Sequence, residues 1–93
     1  MINVSSHPRL APKTRLRFDR KTARYVLLLP EKGLLLNRTG SAVAVLCTGE
    51  HSVEAIIDHL AREHVDVGQK QIEQEVLAFL TALSERGLLE IDT

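Results

Sequence analysis

Residues 25–36 read YVLLLPEKGLLL, two short runs of large apolar side chains divided by Pro30 and Gly33. The first run, Tyr25-Val26-Leu27-Leu28-Leu29, is apolar at every position and only five residues long. An amphipathic helix would show one polar face, whereas a short run with Tyr and Val between turn signals reads as a strand buried on both faces. Pro30 presets the φ of a turn and Gly33 accepts the positive φ that closes it, so Leu34-Leu35-Leu36 forms the returning strand. Upstream, Leu16-Arg17-Phe18 alternates, and Asp19-Arg20-Lys21-Thr22 is turn-like with Asp in its favoured first place. These segments predict a three-stranded antiparallel meander whose central strand is Tyr25–Leu29.

Three helices follow. Thr39 or Ser41 can cap a short one over 41–47, ended near Gly49. Ser52 caps a second, in which Val53, Ile56, Ile57, Leu60 and Ala61 make one apolar stripe, with Glu54 in the first turn where a negative charge suits the helix dipole. A third runs from Gln69 to Arg86 between Gly68 and Gly87, its stripe made of Ile72, Val76, Phe79, Leu80 and Leu83. Leu77 lies about 140° from Ile72, off that stripe. It is either a single exposed leucine or the mark of a second apolar edge beside the sheet. Leu88–Ile91 closes the chain as an extended segment. The fold class is α+β and resembles a winged helix-turn-helix, a meander followed by three helices. Pro8 and Pro12 predict a flexible arm over residues 1–14, and residues 15–93 form one domain, with strands in about 15–37 and helices in about 41–87.

A 93-residue chain holds one small core. With 3% aromatic residues, that core rests on Leu, Val, Ile and Ala. No apolar run approaches the roughly 18 residues of a membrane span, and the N-terminus lacks the apolar stretch of a signal peptide, which points to the cytoplasm and away from a membrane. Cys47, alone and within an apolar run, reads as a buried small hydrophobe. The net charge of zero hides a split: nine Lys/Arg against two acids in residues 1–38 give +7, and three against ten in 39–93 give −7. Segregated solvated faces account for this, as does a basic half that meets an acidic partner or a second copy.

The chain has no Gly-rich phosphate loop, no paired cysteines and no nucleophile elbow. His59 and His64, five residues apart, point about 140° from each other on a helix and cannot share a metal. With no catalytic, cofactor or metal residues to assign, the chain is expected to act by binding. DNA is one candidate ligand, given the winged-helix outline. The recognition helix would be 69–86, but it carries Glu73, Glu75 and Glu85 against Lys70 and Arg86, the wrong sign for phosphate contact.

A peptide is the other candidate. The third strand is an edge, uncharged from Leu34 to Asn37, and so lacks the usual guard against a visiting strand. Ordering about eight peptide residues costs on the order of 8–16 kcal/mol. Four or five new hydrogen bonds return about 1 kcal/mol each. Roughly three or four buried anchors at about 2 kcal/mol each must supply the rest. A groove between Leu35 and Leu77 would receive them.

Arg24-Tyr25-Val26-Leu27-Leu28-Leu29-Pro30-Glu31, Leu36-Asn37-Arg38-Thr39, Leu46-Cys47-Thr48-Gly49 and the Ser52-Val53…Ile56 helix start together resemble the PqqD family of pyrroloquinoline quinone (PQQ) biosynthesis. The likeness extends over about residues 8–90. The chain departs from the family pattern at Thr48, where Asp is usual, and at Lys32-Gly33, where Gly usually comes first. The resemblance implies a non-catalytic peptide chaperone, a leader-peptide recognition domain without cofactor. It would bind the precursor peptide PqqA by strand addition and present it to PqqE, a radical S-adenosylmethionine enzyme that joins a Glu and a Tyr of the peptide. It also places the peptide beside the third strand against the third helix, at Leu34, Leu35, Leu36 and Asn37, facing Leu77, Leu80 and Ser84. Strand exchange into a homodimer is a further use of the same edge.

Overall fold

The computed structural model describes residues 2–29 and 32–92; the turn expected at Pro30 lies outside them. In chain order the elements are β1 (His7–Leu10), β2 (Arg15–Asp19), β3 (Arg24–Leu29), β4 (Lys32–Leu35), α1 (Arg38–Val45), α2 (Val53–Glu63), α3 (Gln69–Glu85) and β5 (Leu89–Asp92). The strands β2, β3 and β4 form the expected antiparallel meander with β3 in the centre.

Cross-strand partners share a face, so the register sorts the side chains. Leu16, Leu27 and Leu34 are partners, and Leu27 is fully buried. Their face therefore meets the helices, together with Tyr25, Leu29 and Leu36, while Phe18 at its end is 48% exposed. Arg17, Val26 and Leu35 are likewise partners and point the other way, as do Arg15, Leu28 and Gly33. Three consecutive leucines, 34 to 36, are thus split: two face in and one faces out.

The core joins Leu27 and Leu36 to Val43 and Ala44 of α1, Val53, Ile56, Ile57 and Leu60 of α2, and Ile72, Val76, Leu80 and Leu83 of α3. Helix α2 starts at Ser52, whose hydroxyl accepts from the Ala55 N–H at 3.0 Å. Helix α3 gives way at Gly87, where φ is +72° and only glycine is unstrained. Thr48, at the position where Asp is usual, accepts from the Glu50 N–H through its hydroxyl at 3.3 Å, so the turn keeps a side-chain acceptor.

Two expectations are corrected. Residues 1–14 are not a free arm, because β1 pairs antiparallel with β5, Pro8 opposite Ile91. The Ala11 N–H donates to the Leu88 carbonyl at 2.9 Å, so by alternation Pro8 occupies a position whose N–H would point away from β5. Its ring therefore costs that ladder nothing. On its other side, the Pro8 carbonyl accepts from Gly49 at 2.9 Å. The segment also finishes α2: the carbonyls of Ser6 and Val4 accept from the N–H groups of Val53 and Glu54 at 2.8 and 2.9 Å. These are two of the donors that a helix start leaves unpaired. The second correction concerns α1, which begins at Arg38 and is capped by neither Thr39 nor Ser41. Asn37 caps it, with Oδ1 accepting from the Gly40 N–H at 2.6 Å.

Cys47 is 4% exposed, and burial pushes its thiol up to about 12. A raised thiol pKa adds stability that is complete below the unfolded value near 9 and is lost as pH rises towards 12. Thiol reagents at pH 8 are expected to label Cys47 at the rate of global unfolding. The melting temperature should fall more steeply above pH 9 in the wild type than in Cys47→Ala, as a pH series of thermal melts will read.

Candidate functional site

At the end of β4 the sheet gives way to α1, and a single hydroxyl joins them. The Leu36 N–H donates to the Tyr25 carbonyl at 2.9 Å. The reciprocal bond is not made. Instead the Tyr25 N–H donates to Ser41 Oγ at 3.0 Å, and Ser41 Oγ lies 3.5 Å from the Leu36 carbonyl as donor. Arg24 Nε also donates to that carbonyl, at 2.8 Å. The pair Tyr25–Leu36 is therefore a hydrogen-bonded pair opened by an inserted hydroxyl.

That fixes the phase of the edge. In an antiparallel ladder, hydrogen-bonded and non-bonded pairs alternate, so Leu34 turns its N–H and C=O to Leu27. Leu35 and Gly33 turn theirs outward. The opposite edge, β2, alternates charged residues, Arg15, Arg17 and Asp19, along its length, the usual protection of an edge strand. The stretch Gly33–Asn37 has none.

Beyond the end of β4, an open cleft of about 310 Å³ is lined by Asn37, Thr39, Gly40, Glu75, Ala78 and Phe79. Phe79 crowds Gly40 closely: a Cβ at Gly40 would stand 3.0 Å from Phe79 Cε1. Gly40 is what lets α3 approach the start of α1. The flank of α3 that meets the start of α1 is thus the one bearing Phe79, Ala78 and Glu75.

The residues expected from sequence separate accordingly. Leu34 is half-buried against the core, and Leu35 is 43% exposed on the outer face. Leu36 and Leu80 are core, at 4% and 0% exposure. Asn37 uses its side-chain oxygen as the α1 cap. Leu77 is half-buried and packs on the core, while Ser84 is exposed. Both stand well round the helix from Phe79, about 160° and 140° away. Leu35 and Leu77 therefore do not face each other across a groove. Phe79, read from sequence as core stripe, is half-buried at the cleft. Its place at one margin of the stripe was the available signal, but only the packing of α1 selects that margin.

Comparison with known proteins decides the family. The family model described as Coenzyme PQQ synthesis protein D (PqqD) matches residues 24–89, more than two-thirds of the chain. The chain belongs to the PqqD family. Among relatives, the "PqqA binding protein" of Rhodopseudomonas palustris (strain BisB5) is 35% identical over 88 residues, covering 95% of this chain and 85% of the relative. The protein of the same description from Methylococcus capsulatus is 35% identical over 78 residues, covering 84% and 81%. The "Bifunctional coenzyme PQQ synthesis protein C/D" of Methylorubrum extorquens is 35% identical over 86 residues, which are 92% of this chain but 23% of that protein. The solution structure of the PqqD part of Methylobacterium extorquens PqqCD, described as a stand-alone recognition element for ribosomally synthesized and post-translationally modified peptides (RiPPs), superposes with a TM-score of 0.79. It is 33% identical and covers 97% of this chain and 95% of its own. This PqqD-family chain is α+β and is not an enzyme. No described helix is long and apolar enough to cross a membrane.

The Ser41 bridge has a measurable consequence. Ser41→Ala leaves the Leu36 carbonyl its Arg24 partner but orphans the Tyr25 N–H, at an expected cost of about 1–3 kcal/mol. Asn37→Ala removes only the cap, at about 1 kcal/mol. Urea unfolding of the two variants should rank them in that order.

Proposed function

We propose that this PqqD-family chain holds the precursor peptide PqqA as an added strand on the free edge of β4 and presents it to the radical S-adenosylmethionine enzyme PqqE in PQQ biosynthesis. The observation that carries the reading is the edge itself, where the backbone groups of Gly33 and Leu35 point outward along an uncharged stretch that ends at the Asn37–Phe79 cleft. The relatives named as PqqA binding proteins give the peptide its identity, and the RiPP recognition element of the same fold supports the mode.

A peptide strand beside β4 sets alternate side chains on opposite faces of the sheet. One row lies beside Leu34 and reaches the flank of Phe79, where apolar side chains find partly buried partners. The other row lies beside Leu35. Backbone bonds to Gly33 and Leu35 fix direction and register, and the apolar contacts supply the surplus over the entropy of ordering. Leu36 and Leu80 form the floor under this site and act through its shape. Holding the peptide extended presents its side chains to the enzyme in a fixed order, and no step of bond chemistry falls to this chain.

The test uses proline, which an edge strand tolerates where its N–H faces outward. Leu35→Pro is expected to keep a cooperative melt while weakening PqqA binding about tenfold or more, since it deletes one outward donor and sets a ring against the incoming strand. Leu34→Pro removes a bond to β3 instead and should unfold or strongly destabilise the protein. Calorimetric titration of PqqA with thermal melts reads both. Wild-type affinity in a folded Leu35→Pro protein would place the peptide elsewhere.

A further inference from the structure

The outer face of the meander is built against the usual rule. An antiparallel sheet with one face on the core alternates apolar-in and polar-out. Here the central strand breaks the alternation. Val26 and Leu28 point away from the helices, share that face with Leu35, and are not among the side chains packed on the core. Gly33 lets Val26 and Leu28 close over the backbone: a Cβ there would stand 3.1 Å from Val26 Cγ1 and 3.6 Å from Leu28 Cδ2. The result is a smooth apolar strip on a face that no described element covers.

Its rim is cationic. Arg15 and Arg17 lie across β3 from Gly33 and Leu35, on the same face. An open cleft lined by Arg17, Phe18, Asp19, Arg20, Lys21 and Val26 continues it to the β2–β3 turn. Among the described residues the ion pairs are Arg9–Glu90 and His59–Glu63, so no pair joins these four cations to a described carboxylate. Asp19, the acid in their midst, spends both carboxylate oxygens inside the turn, accepting from the Lys21 N–H at 3.1 Å and the Thr22 hydroxyl at 3.0 Å.

We infer that this outer face is a docking surface for a partner protein that presents an apolar centre with an acidic rim. A second copy is the wrong occupant for two reasons. Packing the face on its own mate would set Arg15 and Arg17 against like charges. Its footprint is also small, roughly 250 Å² from strand length and spacing, against about 800 Å² per partner for a standard interface. An unlike partner can reach past the strip to the turn and to the β4 edge. Leu35 lies on both, so a protein docked on the outer face meets the outward row of a strand held at β4. This last link rests on the peptide-edge reading, and it makes the partner the enzyme that receives the peptide.

PqqE, the recipient proposed above, is the probe, titrated against the full chain with and without PqqA at two salt concentrations. The double variant Arg15→Glu/Arg17→Glu changes two exposed side chains and should melt close to the wild type. It is expected to bind PqqA within twofold of the wild type, to bind PqqE at least tenfold more weakly, and to lose the salt sensitivity of that binding. Arg15→Gln/Arg17→Gln should fall between the two and serves if the reversed pair melts early. Unchanged PqqE affinity overturns the inference. So does a parallel loss of PqqA, which would make the peptide the occupant, and so does a wild-type dimer that the variant dissolves. Because PqqE binding is read without peptide as well, failure of the edge reading at Leu35→Pro leaves this result standing on its own.

Discussion

Ser41 stands where a backbone carbonyl would otherwise close the sheet, and the usable geometry of the molecule follows from that substitution. By taking the Tyr25 N–H and turning to the Leu36 carbonyl, its hydroxyl lets β4 stop without an unpaired buried group. The chain then turns within one residue into a helix capped by Asn37. That short junction settles which backbone groups of β4 face β3 and which face outward. It also seats α1 close to Gly40, where Phe79 packs. A longer connection would leave the phase of the edge and the position of α3 independent of each other. Here one junction sets both.

The two faces of β3 divide the protein's work. Inward, Leu27 is fully buried in the core that the helices complete. Outward, Val26 and Leu28 are half-buried beside arginines. A central strand apolar on both sides is ordinary when both sides are covered, and its cost in an uncovered sheet is exposed apolar surface. The charge split of the sequence has a counterpart here. The basic half carries β1–β4, and most of the acids lie in α2, α3 and the last strand.

Much of this was legible in the residues. The breadth of the Tyr25–Leu29 run selected a central strand, the periodicity of α2 and α3 located both helices, and Ser52 and Gly87 ended them where the structure does. What escaped was whatever local pattern leaves degenerate. Leu34-Leu35-Leu36 has no alternation, so period two could not say which leucine faces the core; the ladder decided it. Pro8 reads as a breaker until a strand with its N–H side turned from β5 makes it harmless. Asn37, Thr39 and Ser41 are all competent caps, and the winner was set by where β4 had to end. Leu77 and Phe79 both border the apolar stripe of α3. Only the approach of α1 makes Phe79 the one at the cleft and leaves Leu77 as packing.

The pairing of β1 with β5 sets His7 opposite Asp92, so the two ends of the domain leave from neighbouring strands. Such a unit can hang from another protein by either end, or sit within a loop of one, without its own core being stretched. The relative in which the homologous segment makes up 23% of a bifunctional protein is one such arrangement. For the present chain the same adjacency means that a short bridge between the ends, with a new opening in the segment between α2 and α3, describes a circularly permuted form whose β4 edge is untouched.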